Sequence, residues 1–240
     1  MKIDAEDIFG NALRDYQTGH PKGELITHSN LGGEDILPLS YLFRGYKEMP
    51  EIEQKALKLA SGHILDVGCG AGSHSLWLQQ QGKTVTALDV SKGAMEVCKL
   101  RGITKMVQCN FLSFDDGKFD TILFLMNGIG LAGSLKALPA FLEHAKMLLR
   151  PGGQIILDSS DVIYLFETDE DGGIWVPGDV DYYGEDQFQM EYHTKKTSIF
   201  DWLYIDFNTL KEQAKTVGLD CELVMLGDHY DYLAKLRSIK

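Results

Sequence analysis

His63-Ile-Leu-Asp-Val-Gly-Cys-Gly-Ala-Gly-Ser-His-Ser-Leu-Trp-Leu78 is the stretch that decides the fold. An apolar run carrying one acid, Asp66, ends in a glycine turn (Gly68, Gly70, Gly72), and an apolar-periodic segment follows. The pattern predicts strand, tight turn, helix. Glycines at such a turn permit positive φ and close backbone approach to a ligand, and the free N–H groups of the next helix's first turn face the same point. The turn is therefore expected to hold a small molecule.

A second acid, Asp89, lies in the next apolar run, Lys83 to Val90, and stands 17 residues after Gly72. That is close to the interval at which dinucleotide folds place a carboxylate on ribose hydroxyls. A nicotinamide dinucleotide would favour a third glycine or an alanine at position 73, where this chain has Ser73, and Asp66 inside the first strand is a further departure. An NAD-type Rossmann oxidoreductase is thus the rival reading rather than the leading one.

The segment Asp66-Val-Gly-Cys-Gly-Ala-Gly72 resembles motif I of the class I S-adenosylmethionine-dependent methyltransferases, and Leu88-Asp-Val-Ser91 resembles their second motif. Leu148-Leu-Arg-Pro-Gly-Gly-Gln154 is similar to the family's lead-in to its fifth strand, so the resemblance covers about residues 61–160. It implies a Rossmann-like, doubly wound sheet of seven mostly parallel strands whose last strand runs antiparallel. It also implies S-adenosylmethionine as cofactor and S-adenosylhomocysteine as product. The backbone of Gly68, Gly70 and Gly72 would meet the methionine moiety, Asp66 would act indirectly at its amino group, and Asp89, with Val90 beside it, would meet the ribose. Asn110 stands where relatives often carry an Asp on the adenine amine, and an amide oxygen can accept the same bond. Phe111 is a candidate to flank the adenine ring, and Asn127, in Phe124-Leu-Met-Asn-Gly-Ile-Gly-Leu131, resembles the turn of small-molecule methyltransferases. An Asn/Asp-Pro-Pro-Tyr signature and a Pro-Cys pair do not occur, which turns the expected acceptor away from nucleic-acid bases.

Composition agrees. A net charge of −12 and a pI near 5.0 disfavour nucleic acid or an anionic membrane as partner, since both reward clustered Lys and Arg. Four cysteines at 69, 98, 109 and 221 form no C-x-x-C pair, and seven histidines make no i, i+4 pair, so neither a disulfide framework nor a metal site is expected. The acidic start and the short apolar runs predict a cytoplasmic protein, and the sequence leaves the oligomeric state open between monomer and homodimer.

Along the chain, residues 1–60 read as an N-terminal helical cap, with helical spacing over 5–16, 36–44 and 51–60 and a polar loop over 24–33. In relatives such a cap lies over the methionine end of the cofactor and helps to form the acceptor pocket, which makes Tyr16 and Arg44 candidates for that pocket and for the cofactor, with Arg44 a candidate charge-assisted partner of the methionine carboxylate. Residues 61–240 read as the methyltransferase domain, with an inserted loop and hairpin at about 161–205. Sulfonium methyl transfer needs alignment more than a base, so no residue is assigned a catalytic role. The expected activity is methyl transfer to an oxygen or nitrogen of a small molecule; a non-catalytic S-adenosylmethionine-binding protein is the alternative from another class.

Overall fold

The computed structural model describes residues 6–166, 169, 171, 173 and 180–239. In chain order its elements are α1 (Ile8–Gln17), β1 (Leu25–Ser29), β2 (Gly33–Leu37), α2 (Leu39–Leu42), α3 (Glu51–Leu59), β3 (His63–Val67), α4 (Ser73–Gln80), β4 (Thr84–Asp89), α5 (Lys92–Leu100) and β5 (Met106–Gln108). There follow β6 (Phe119–Phe124), α6 (Leu138–Met147), β7 (Leu149–Ser160), β8 (Glu185–Tyr192), β9 (Lys195–Lys196), β10 (Phe200–Leu203), α7 (Phe207–Thr216), β11 (Leu219–Leu226) and β12 (Asp231–Ser238).

Seven strands form the central sheet in the order β11-β12-β7-β6-β3-β4-β5. The five strands from β7 to β5 are parallel, and β12 runs antiparallel between β7 and β11. This is the seven-stranded, mostly parallel arrangement with an antiparallel last strand that the motifs imply. A parallel sheet needs both faces covered, and its strands are accordingly apolar on both sides. Leu65, Ile122, Phe124, Ile155 and Leu157 face α6 and α7, whereas Ile64, Leu123 and Ile156 face α3 and α4. The same alternation places Asp66 and Asp158 on the α3/α4 face, near the carboxyl ends of β3 and β7.

The N-terminal region is only partly helical. Residues 25–37, expected as polar loop and helix start, form a β-hairpin, and β1 pairs antiparallel with β8 of the insertion. Together they build a second sheet, β10-β8-β1-β2, with β9 on β8. Cross-strand pairing rather than a helical face anchors this hairpin: Leu25 is fully buried and lies opposite Tyr192. The expected hairpin at 187–206 is present as β8, β9 and β10, while most of the acidic run at 167–179 lies outside the described residues. The second sheet sits on the turn after β6, where the Trp202 indole packs so closely on Gly130 that a Cβ there would lie 2.2 Å from it.

Candidate active site

The glycine turn joins β3 to α4. Gly68, Gly70 and Gly72 all have positive φ (69°, 52° and 78°), a conformation L side chains rarely adopt. A Cβ at Gly68 or Gly70 would come into ordinary van der Waals contact with Leu131 at 3.5 Å or Phe9 at 3.6 Å, so the turn's outer side has room for one atom without a clash. At Gly72 a Cβ would fall 2.3 Å from Ile103 and 2.8 Å from Cys98, so this glycine serves packing as well. Arg101 secures the turn from α5, donating to the Ala71 carbonyl (2.6 Å) and to Ser73 Oγ (3.1 Å).

Asp89 closes the turn from the neighbouring strand. Its Oδ2 accepts the Gly70 N–H (2.9 Å) and its Oδ1 the Ser91 N–H (2.9 Å). Burial pushes this carboxyl above its ordinary value, and the two backbone donors oppose that rise. Each oxygen keeps lone-pair capacity for further donors. An open glycine cradle and a buried acceptor at its side suit a nucleoside bearing ribose hydroxyls, so the residues present fit S-adenosylmethionine. Val90 follows Asp89 and its carbonyl accepts from Gln108 Nε2 (3.2 Å).

The other expected positions divide. Asn110 caps the short turn at Phe111–Ser113, its Oδ1 accepting the Leu112 N–H (2.9 Å). Phe111, expected beside the adenine ring, is 5% exposed and its ring packs edge-on to Phe124 and His144 and against Phe141, as part of the core. A large apolar ring beside a sheet gains more from that burial than from a solvent-lined cleft. Tyr16 packs on Phe43, with ring centroids 4.7 Å apart, as part of the cap's own core. Asp66 accepts the Ser75 hydroxyl (2.6 Å) and so steadies α4.

Arg44, a candidate for the cofactor's carboxylate, is 5% exposed and both Glu53 carboxylate oxygens accept from its Nη2. The guanidinium also donates to the Tyr41 carbonyl and lies 3.8 Å above the Tyr41 ring. Glu53 meets His74 on its other side, Nε2 to Oε2 at 2.7 Å. Burial would raise the Glu53 carboxyl, but the His74 bond and the charges of His74 and Arg44 hold it below its ordinary value. Burial would lower the His74 imidazole, and the Glu53 bond with the Asp66 and Glu53 charges raises it instead. An ion pair of this kind survives only because both charges find partners.

Asp158 and Glu53 are site-edge residues that reading the sequence overlooked, whereas His74, read there as a helix-start residue near the cofactor, does lie in the first turn of α4. Asp158 carried a usable signal: like Asp66 and Asp89 it is an acid in a β-run otherwise apolar, Gln154-Ile-Ile-Leu-Asp158. Glu53 carried none, because an acid in the first turn of an amphipathic helix reads as a surface charge. Asp158 Oδ2 accepts the Asn127 N–H (2.9 Å), and Ser160 Oγ donates to Asn127 Oδ1 (3.2 Å). Met126 and Asn127 both sit in the left-handed region, at φ 60° and 56°. Two consecutive strained residues at a strand's carboxyl end mark a place where the surroundings over-determine the backbone, as ligand sites do.

Comparison with known proteins bears on this geometry. Residues 65–157 match the family model described as a methyltransferase domain. The chain is 31% identical over 114 residues to a ubiquinone biosynthesis O-methyltransferase of Xanthomonas oryzae, which covers 43% of this chain and 45% of that protein. It is 30% identical over 103 residues to a cypemycin N-terminal methyltransferase of a Streptomyces species, covering 41% and 42%. The chain therefore spans less than half the length of these curated relatives. A crystal structure of a SAM-dependent methyltransferase from Bacteroides fragilis in complex with S-adenosylhomocysteine matches at a TM-score of 0.90 and 45% identity, over 98% of this chain and 95% of that one. A likeness of that extent, joined to a glycine turn closed on a strand-end carboxylate, means that the chain belongs to the class I S-adenosylmethionine-dependent methyltransferases.

Proposed function

We propose that this protein transfers a methyl group from S-adenosylmethionine to an oxygen or nitrogen of a small molecule. The observation that carries the reading is the bond from the Gly70 N–H to Asp89 Oδ2, which ties the glycine turn to a buried carboxylate at the end of the neighbouring strand. Bound S-adenosylmethionine would supply the chemistry itself, a methyl on a positively charged sulfur. The chain's residues have three tasks. The backbone at Gly68 and Gly70 leaves room for the methionine end, and Asp89 accepts from the ribose hydroxyls while keeping the turn in register. Phe9, brought beside Gly70 by α1, and Leu131, brought beside Gly68 by the turn after β6, give the cradle two apolar neighbours that would shield a bound methionine end from water. Holding two reactants in line is worth on the order of 7–11 kcal/mol, more than a base adds, so enclosure and orientation are the main contribution.

The small-molecule acceptor follows from the walls. The cap, the turn at Gly128–Ala132 and the second sheet crowd the carboxyl edge of the central sheet, which suits a compact ligand better than a duplex. The charge of −12 points the same way. Titration calorimetry with S-adenosylhomocysteine and with NAD tests the cofactor, and mass spectrometry of acceptor panels for a methyl gain tests the transfer. Binding of NAD in place of S-adenosylhomocysteine would overturn the reading, whereas cofactor binding with no transfer to any acceptor would leave a binding protein.

A further inference from the structure

Asp158 has work left to do. It is 6% exposed, its Oδ2 is taken by the Asn127 N–H, and its Oδ1 is buried with no hydrogen-bond partner among the described residues. A buried carboxylate oxygen left unsatisfied is costly, and native proteins keep such an atom mainly where something else completes it. The register says where that something lies. Asp66, Leu123 and Ile156 are level across β3, β6 and β7, so Asp158, two residues beyond Ile156, is level with Gly68, two residues beyond Asp66. The strands β3 and β7 are separated only by β6, which sets the carboxylate about 10 Å along the sheet edge from the glycine turn. That span suits a transferable methyl and the atom that receives it.

The surroundings favour a cation there. The stretches 158–166 and 227–232 lie side by side where β7 ends and β12 begins, since Asp231 is the register partner of Ser160 and the Asp161 N–H donates to the Tyr230 carbonyl. They contain four carboxylates (Asp158, Asp161, Asp228, Asp231) and no lysine or arginine. Tyr164 and Tyr230, each more than half exposed, stack at 4.8 Å on the same rim, and Tyr41, whose phenol feels the charges of Arg44, Glu53, Asp158 and Asp231, faces it from the cap. Aromatic faces beside carboxylates are surfaces that amines prefer. The charges that act on the Asp158 carboxyl are those of Glu53 from α3, which raises it, and His74 from α4, which lowers it.

We propose that the acceptor is an amine and that Asp158 is the catalytic residue that holds its nitrogen and takes its proton. The inference rests on the methyltransferase reading and narrows it. The amine arrives as a cation, its N–H proton passes to Asp158 Oδ1, and the freed nitrogen lone pair forms the new N–C bond as the methyl's bond to sulfur breaks. The sulfur keeps that electron pair as a neutral thioether. Burial pushes the Asp158 carboxyl up to about 7, against the Asn127 N–H, so that it can accept a proton at neutral pH and release it again.

Sinefungin tests this without knowledge of the acceptor, because it carries an amine where S-adenosylmethionine carries its methyl. In Asp158→Asn, sinefungin should bind at least tenfold more weakly while S-adenosylhomocysteine stays within twofold, and Asp158→Glu should recover part of the loss. An equal loss for both ligands would assign Asp158 to the cofactor's own amino group, and no loss for either would leave it structural; either result overturns the proposal. In the wild-type protein the preference for sinefungin over S-adenosylhomocysteine should rise between pH 6 and 8 as Asp158 ionises. His74 also carries a titratable charge that acts on this carboxyl, so Asp158→Asn sets the baseline, and a preference that rises equally in the variant sinks the assignment. Failure of wild-type protein to bind S-adenosylhomocysteine would instead strike the proposed function itself, so the two are separable.

Discussion

Asp89 and Asp158 are both buried acids in strands whose carboxyls burial raises, yet their hydrogen-bond partners differ. Asp89 meets two backbone N–H groups through its two oxygens, whereas Asp158 has one oxygen served and one bare. Replacing Asp89 by Ala should weaken S-adenosylhomocysteine binding by roughly 1.5–3 kcal/mol, with Asp89→Asn between, as calorimetry would measure. Part of that loss comes from the Gly70 N–H, which the change leaves without its acceptor. Asp158 makes a stability prediction in the ligand-free protein. Its carboxyl is raised from 3.8 to about 7, so ionising it costs the folded state a penalty that is absent below 3.8, grows through the interval and is complete above 7. Asp158→Asn removes that penalty. Its stability relative to wild type should therefore climb from pH 4 to pH 8 by on the order of 3 kcal/mol, read by urea unfolding at each pH. A difference that stays flat would mean that Asp158 titrates normally.

At the scale of elements, two contacts hold the cap over the cofactor cradle. The first is the crossing of α1 on α5. Asp7 caps α1, accepting the Gly10 N–H (3.2 Å), and reaches α5 by accepting the Gly93 N–H (2.7 Å). A Cβ at Gly93 would lie 2.4 Å from the Gly10 carbonyl oxygen, and backbone cannot yield as a side-chain tip can. Gly93→Ala should push α1 away, lower stability by about 1–3 kcal/mol and weaken cofactor binding, because Phe9 moves with α1 off Gly70. The second contact is the buried Arg44–Glu53–His74 set, which joins the segment after α2 to α3 and α4. Arg44→Ala leaves Glu53 short of a partner and should cost about 3–5 kcal/mol. The His74–Glu53 pair also has a pH window. The raised imidazole contributes fully below 6.5 and is lost as pH rises through its higher folded value, while the lowered carboxyl contributes fully above 4.5 and is lost as pH falls through its lower one. The destabilisation caused by His74→Gln should thus be largest between pH 4.5 and 6.5 and shrink on both sides, as thermal unfolding across that range would record.

At the scale of the whole molecule, the cap and the insertion are one structure although about 150 residues of chain separate them. Asp186, at the start of β8 and 3% exposed, accepts the Ser29 hydroxyl and the N–H groups of Asn30 (3.0 Å) and Leu31 (3.2 Å), tying the β1–β2 turn to the insertion. The second sheet then meets the central one through Trp202 on Gly130 and through the Ile205 N–H to Ser159 Oγ bond (3.1 Å). Two sheets joined this way should unfold together. Asp186→Ala should shift a single calorimetric transition downward with its shape kept; a second, earlier transition would show that the second sheet melts alone. Removing residues 1–45 strips β1 from β8 and Arg44 from Glu53, so the truncated chain should lose solubility or fold poorly rather than remain a folded enzyme without a lid.

The local chemistry of the chain determined the central sheet and the cofactor cradle. Alternating strand, glycine turn and helix segments can bury their apolar faces in few ways, and Asp66, Gly68, Gly70, Gly72 and Asp89 declare themselves because acids and glycines in apolar runs need a reason to be there. What tertiary structure decided is the far wall of the site. The hairpin at 25–37 has ordinary polar strands whose partner, β8, is remote in sequence, and no local pattern reveals a pairing over that distance. Phe111 looks alike as a ring beside adenine and as a core residue until Phe124 and Phe141 close on it. Arg44 and Glu53 look like surface charges until α2, α3 and α4 desolvate them together. Whether a charge is solvated, paired or left bare for a ligand depends on which atoms surround it, and those atoms are assembled only when distant segments of the chain meet.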